Sequence, residues 1–333
     1  MLKRLDNLYD RICDIDNINY IYHEISKRIN NKSKLEHLKE YRCFYISKIY
    51  SMLKSEKYLV SPYNIFTIYE PKKRRIVSLS LQDKIVNHLV STFIVLPVTS
   101  PCLIDANVAS RIGLGSKRGL ELANSFHKTC SIKFSNYYIL KCDISKFFQS
   151  IDHDILMNKL RKRLKDERAL NILSKIIESD EMGLSIGAMS SQLLAVFYLN
   201  DLDHYIKETL KIKYYVRYQD DFLLFHQSKK YLKFCLEKIK SFLAKEKLVL
   251  NKKTRIYSNK DNFLFLGRNR KGNYAKYRTV NRKLKRKSFL YSSKQIPLSS
   301  FASSIISYNY LLNKRSTLLK SASKSSTKTH SPS

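Results

Sequence analysis

The chain has 333 residues, 44% of them hydrophobic, enough to bury a core of two or three packed modules and too many for a largely disordered chain. Its 62 Lys and Arg against 28 Asp and Glu give a net charge of +34, so it would repel itself unless it works beside a polyanion. The N-terminal MLKRLDNLYDRICDID lacks a signal-peptide core, no apolar run is expected to reach the ~18 residues of a spanning helix, and the six scattered cysteines lack metal-binding spacing, so no membrane partner and a reducing cytoplasm are expected.

Residues 1–60 read as amphipathic helices, with apolar positions three and four apart through Leu2, Leu5, Leu8 and Ile12, and again through Tyr41, Phe44, Ile46 and Ile49. Residues 63–80, YNIFTIYEPKKRRIVSLS, predict a hairpin around the basic turn Pro71–Arg75. Residues 82–98 return to a helical pattern. Ser110–Gly119, SRIGLGSKRG, is a basic glycine-rich loop without the setting of a nucleotide-binding P-loop. Tyr137–Asp143 predicts a strand, and Ser150–Asp154 offers several helix N-caps. A long helix is predicted over 187–209, two β-rich runs meeting at a tight polar corner over 213–226, a helix over 229–247 and a short strand over Phe263–Gly267. No acidic residue follows Asp261, while Lys and Arg continue to Lys328, a one-signed stretch suited to a phosphate backbone. From about Ser316 the Ser, Thr and Lys content predicts a disordered tail.

The most specific segment is Tyr218-Gln219-Asp220-Asp221, flanked by apolar runs. Two carboxylates ~4 Å apart repel by ~4 kcal/mol at an effective dielectric of 20. A divalent cation removes that cost, although a bare Asp-Asp pair is also an ordinary solvated turn. Neighbours on a strand point to opposite faces, so only one of the pair can point straight at a metal centre, and a third carboxylate must come from elsewhere. Asp143, ending the apolar run YYILKCD, is positioned to supply it. A strand-end carboxylate beside a strand hairpin is the geometry of a two-metal phosphoryl-transfer site. A helix N-cap or an Asp-turn is the other use of such a residue.

VRYQDDFLLF is similar to the YxDD box of reverse transcriptases, and LKCDISKFFQSIDHDIL resembles the first catalytic box of the same family. GLSIGAMSSQLLAVFYLNDLD resembles the next box, LNKKTRI and FLFLG the two beyond YxDD, and EPKKRRIVSLSLQDKIVNH the fingers box. The boxes follow in order from roughly residue 60 to 310. The resemblance implies an α+β right-hand polymerase fold with fingers, a palm whose antiparallel sheet carries the YxDD hairpin on helices, and a basic helical thumb. The corresponding boundaries are a helical region at 1–60, fingers with interleaved palm elements at 61–136, palm at 137–267, thumb at 268–315 and tail at 316–333.

The implied activity is RNA-directed DNA synthesis by two-metal nucleotidyl transfer, with two Mg2+ ions (Mn2+ as a substitute) at Asp143, Asp220 and Asp221. Its partners are a template RNA, a DNA or RNA primer and deoxynucleoside triphosphates. Phe148 matches the ring that excludes a ribose 2′-hydroxyl, with core packing beside Phe147 as its plainer role. Lys72 and Arg74 match triphosphate-gripping residues, Gly187 and Gln192 lie in the box that supports the incoming nucleotide, and Lys252 or Lys253 could protonate pyrophosphate. Arg268, Arg270, Lys271, Arg282, Lys283, Lys285 and Arg286 of the thumb, with Arg111, Lys117 and Arg118 of the glycine-rich loop, are expected to track nucleic-acid backbone. No acidic cluster for an RNase H follows Asp261.

Ile186-Gly187 at the start and Ser191-Gln192 at the end of the helix-leading box resemble the error-prone enzymes of diversity-generating retroelements, as does SRIGLGSKRG. That group implies misincorporation opposite adenine, a small helical accessory protein and a bacterial or phage source. A phage-defence (abortive-infection) reverse transcriptase is the neighbouring reading. A non-catalytic RNA-binding or splicing-assistance protein is the reading from another class. A retron enzyme is disfavoured by the missing Val-Thr-Gly motif, and an intron maturase by the short stretch after the thumb.

Overall fold

One apolar helical stretch organises the core. It runs through Leu81–Val90, a π-type turn at Ser91–Val95, Leu96–Thr99 and the 3-10 turn Ser100–Cys102. Ile85, Val86, Leu89, Val90, Ile94 and Val95 are all fully buried. The stretch Leu81–Cys102 corrects one sequence expectation, because its 22 residues are long and apolar enough to cross a membrane by length and composition. The apolar residues cover most of its circumference because other elements pack around it, and 61% of its most apolar window is buried inside the protein.

In this computed structural model the described residues are 4–68, 74–269, 277–306 and 308. The chain forms two compact units, Met1–Ile65 with Val77–Asn262, and Phe66–Ile76 with Phe263–Ser333. In the first unit the N-terminal helices Ile15–Ser26 and Arg42–Lys54 join the same core as the central sheet instead of forming a separate layer. Asp14 caps the former through the Asn17 amide at 2.9 Å. Leu5 departs from the predicted helical pattern. It is extended and bridges Leu164 in parallel, with Leu5 N donating to Arg163 O at 2.7 Å.

The strands are β1 Asn64–Ile68, β2 Arg74–Ser78, β3 Tyr138–Asp143, β4 Tyr214–Tyr218, β5 Asp221–His226, β6 Arg255–Ser258, β7 Leu264–Phe265 and β8 Arg268–Asn269. β1 and β2 form a two-stranded sheet, the predicted basic turn between them lying mostly outside the described residues, and the central sheet has the order β4-β5-β3-β6 with antiparallel neighbours throughout. Residues paired across strands share a face. Leu140, Cys142, Phe222, Leu224 and Tyr215 therefore line one face, in one core with Leu232, Cys235, Ile239 and Leu243 of the Lys229–Lys245 helix. Ile139, Leu223, Phe225 and Val216 line the other. There Phe126 and His127 of the Ser116–Lys133 helix lie against the Phe225 ring at 5.8 and 4.9 Å. The end of this second face that carries Lys141, Asp143 and Asp221 keeps partial solvent access.

The predicted helix over 187–209 is interrupted. Met189–Tyr198 ends at Leu199, whose φ of −90° and ψ of 6° leave helical geometry, and Asn200–His204 with the π-type turn Tyr205–Thr209 follows. In the second unit β7 pairs with β8, and Tyr277–Ser292 is a helix. The second unit's longer segment starts at Phe263, a few residues before the expected start of the thumb, and its shorter segment is Phe66–Ile76. The predicted tail lies outside the described residues.

One glycine is required by close approach. Gly183 has φ +67°, and a Cβ there would sit 2.2 Å from Phe148 O and 2.6 Å from the Gln149 backbone. Leu184 N donates to the same Phe148 carbonyl at 2.8 Å. Gly183→Ala is expected to destabilise the fold by roughly 2–4 kcal/mol through clash and backbone strain, read as a lower urea midpoint at unchanged slope.

Candidate active site

Asp143 is the last residue of β3, Asp221 the first of β5, and the two are direct cross-strand partners. Their side chains leave the sheet on the same face. Tyr218 pairs with Asp221, so Gln219 and Asp220 form a two-residue turn between β4 and β5. Gln219 holds a left-handed φ of +56°, a conformation that glycine usually supplies. The turn is held by Arg217 Nη1 donating to Gln219 O at 3.0 Å, by Gln219 Nε2 donating to Ser110 Oγ at 3.0 Å, and by Ile144 N donating to Asp220 O at 3.3 Å.

Beneath the turn lies a buried ionic cluster. Arg217 and Asp203 are both fully buried. Arg217 Nε donates to Asp203 Oδ1 at 2.7 Å, Nη2 pairs with Asp203 Oδ2, and Nη2 also donates to Val196 O at 3.1 Å. Tyr215 OH donates to Asp203 Oδ1 at 2.6 Å. Burial works to lower the Arg217 pKa, but Asp203 outweighs it and holds the guanidinium above its ordinary value. Burial, reinforced by the Asp203 charge, pushes the Tyr215 hydroxyl well up. Neither Arg217 nor Asp203 was singled out from the sequence. The available signal was an Arg at an inward-facing position of the apolar strand YYVRY.

Asp143, Asp220 and Asp221 are all partly exposed. The Asp221 carboxyl is pushed up to about 6, chiefly by burial, with Asp143 and Asp220 adding to the rise and Lys141 opposing it. Lys141 Nζ is ion-paired with Asp221 Oδ1. Among the described residues no three His, Cys, Asp or Glu side chains are gathered closely enough to hold a metal as they stand. The donor chemistry still fits Mg2+ or Mn2+, because carboxylate oxygens are hard ligands and crowded acidic groups are what a dication relieves.

The LNKKTRI turn closes on Asp143. Asn251 N donates to Asp143 O at 2.7 Å, and Lys253 N to Asn251 Oδ1 at 3.0 Å. This brings Lys252 and Lys253, both exposed, to the same sheet end. Phe148 is partly exposed and meets the buried Phe147 ring edge-on at 5.7 Å, so Phe147 takes the core role. Gly187 is exposed with φ +135°, and Gln192 is exposed on a helix otherwise turned into the core. That helix start is pinned by Asn87, whose Oδ1 accepts from Ser190 N at 3.1 Å.

The basic residues divide differently from expectation. Arg111 Nη1 donates to Ile104 O at 3.0 Å and Asn107 O at 3.2 Å, so its guanidinium braces the glycine-rich loop from within. Arg118 lies 3.6 Å from Glu121, and Lys117 is exposed. In the second unit Arg74, Arg282, Lys283, Lys285 and Arg286 are exposed and Arg268 is partly exposed. Lys72, Arg270 and Lys271 lie outside the described residues.

Comparison with known proteins places this geometry in a family. The reverse transcriptase (RNA-dependent DNA polymerase) family profile matches residues 67–269. An uncharacterized 91 kDa protein in the cob intron of Schizosaccharomyces pombe is 27% identical over 181 residues, which cover 51% of this chain and 21% of that protein. A putative COX1/OXI3 intron 2 protein of Saccharomyces cerevisiae is 28% identical over 87 residues, 23% of this chain and 10% of that one. The chain thus spans about a fifth of the length of the first relative and a tenth of the second. A telomerase from Candida albicans, solved with a fragment of telomeric RNA, matches in fold with a TM-score of 0.51 at 14% identity, over 71% of this chain and 51% of that one.

The buried cluster generates a stability prediction. Arg217→Met strands Asp203 and is expected to cost roughly 3–5 kcal/mol. Adding Asp203→Leu removes the stranded charge and should recover most of that loss, both read by urea unfolding.

Proposed function

Because the chain belongs to the reverse transcriptase family, we propose that it is an RNA-directed DNA polymerase extending a DNA or RNA primer on an RNA template with deoxynucleoside triphosphates. The observation that carries this reading is the pairing of Asp143 with Asp221 on one sheet face, with Asp220 at the adjoining turn. Asp143, Asp220 and Asp221 would together hold two divalent ions, with Asp221 acting from its position paired with Asp143. Bound ions would lower the pKa of the primer 3′-hydroxyl and neutralise charge on the triphosphate and leaving pyrophosphate. Lys252 and Lys253 add positive charge at the sheet end, near Asp143, where pyrophosphate would depart. Phe148, partly exposed beyond the buried Phe147, excludes the ribose 2′-hydroxyl. Arg74 and the exposed cations of Tyr277–Ser292 bind phosphates of the nucleotide and the hybrid.

Within the family we assign the chain to the diversity-generating retroelement group. The support is the Ile186–Gln192 box, where Ile186 stands at the partly exposed entry to the helix and Gly187 leaves room for a base pair. The expected setting is a bacterial cytoplasm with a small accessory protein. The intron location named for two relatives favours a second reading, an intron-encoded reverse transcriptase. Sequencing of cDNA made on the native RNA, with any accessory protein present, separates them. Errors concentrated opposite adenine support diversification, and accurate copying there removes it.

Primer extension on defined RNA tests the polymerase itself. Asp220→Ala should lower the rate by roughly a thousandfold or more, the loss of several kcal/mol of transition-state stabilisation. Product made at the wild-type rate would refute the site. Phe148→Ala should raise ribonucleotide incorporation by roughly tenfold or more relative to deoxynucleotide; an unchanged ratio of the two kcat/KM values defeats the gate.

A further inference from the structure

Lys141 is a charged residue that none of the roles above uses. It sits two residues before Asp143 on β3, so strand alternation puts both on the same face. Its cross-strand partners are Arg255 on β6 and Leu223 on β5, the latter two residues beyond Asp221, which makes Lys141 and Asp221 diagonal neighbours. Nζ bridges that diagonal and is ion-paired with Asp221 Oδ1. The pair is largely buried, with side-chain exposures of 18% for Lys141 and 21% for Asp221. The rest of the strand is apolar up to Asp143, with Ile139, Leu140 and Cys142 fully buried.

An ammonium in that position does what a metal would do for the crowded carboxylates. Asp143 and Asp221 share this face with Asp220 in the adjoining turn, and a positive charge eases their repulsion when no ion is bound. An ammonium and a dication cannot share one carboxylate without repelling each other. Metal entry at Asp221 therefore has to displace Lys141 from it.

We propose that Lys141 is the resident counter-ion of this site, competing with divalent metal for Asp221 and so raising the metal concentration at which the polymerase loads. The displaced ammonium stays on the same sheet face, where it can meet an anionic phosphate oxygen of the nucleotide. Metal and nucleotide then load together, because the nucleotide supplies the anion that compensates Lys141. This inference rests on the polymerase reading of Asp143, Asp220 and Asp221.

The test uses the full chain with neither nucleic acid nor nucleotide. Mn2+ is titrated in and free ion is followed by electron paramagnetic resonance. Lys141→Met should bind Mn2+ about tenfold more tightly than wild type, and Lys141→Arg about as wild type, because only the charge competes. Lys141→Gln keeps a hydrogen-bond donor without the charge, so it should behave as the Met variant. In EDTA the uncharged variants should melt below wild type, with Mn2+ closing the gap. Folded Met and Gln variants that bind Mn2+ no more tightly than wild type overturn the proposal. Asp143→Asn and Asp220→Asn separate the two levels of failure. If they abolish Mn2+ binding and primer extension while the Lys141 variants bind as wild type, only the competition falls. If they leave both intact, the polymerase site falls as well.

Discussion

The pairing of Asp143 with Asp221 is the constraint on which the site depends, and it is enforced by apolar burial on both sides of the sheet. Leu140, Cys142, Phe222 and Leu224 fill one face, while Ile139, Leu223 and Phe225 fill the other. Each such side chain contributes roughly 1.5–3 kcal/mol on burial. A slip of one residue would misalign every one of these pairs and turn the two carboxylates to opposite sides. The chemistry thus needs no dedicated interaction between the acids themselves. Their mutual repulsion is held in check by the packing behind them together with the Lys141 ammonium paired with Asp221.

The turn carries a second cost and a second support. A left-handed Gln219 stores on the order of 1–3 kcal/mol of strain. Arg217 offsets it from below through the Gln219 carbonyl, and Ser110 holds the side chain from the glycine-rich loop. That loop is itself fastened to the same strand, with Val108 N donating to Arg217 O at 3.0 Å and Arg217 N to Ala106 O at 2.8 Å. Arg217 therefore joins the loop, the strand, the turn and the Asn200–His204 segment at one point. The Leu199 interruption belongs to this arrangement, since Asp203 reaches Arg217 from the segment that follows it.

Much of the sheet could be read from residue order alone. Short apolar, β-rich runs located β3, β4 and β5 to within a residue or two, and the acidic ends of YYILKCD and VRYQDD marked the corner where they meet. What escaped were features decided by contacts distant in sequence. Leu5 fits a helical period with Leu8 and Ile12, yet a bridge to Leu164 claims its backbone. Leu81–Cys102 shows no clean polar face because the elements around it arrive from many parts of the chain. Gly183 looks like any loop glycine until the Phe148 carbonyl is placed against it. Arg111 looks like a phosphate ligand, and only the fold of its own loop shows its donors engaged with two carbonyls. Lys141 is one lysine among many in the sequence, although its place two residues from Asp143 on a strand puts it on the acidic face.

The overall charge and the local charge of this protein have opposite signs, which suits the polymerase role proposed above. A net charge of +34 draws in a polyanion at long range, while the hairpin corner concentrates three acids that favour cations. The Tyr277–Ser292 helix shows the surface side of that division. Arg282, Lys283, Lys285 and Arg286 are exposed there, and like charges such as Arg282 and Arg286, one turn apart, cost a few tenths of a kcal/mol each. A bound phosphate backbone turns that cost into attraction and releases counterions as it does so. In the proposed complex the basic helix is therefore expected to be more stable than alone. The same logic applies to the corner with the signs reversed in the proposed site, where acids that repel one another are the hard oxygen donors that a divalent ion would use.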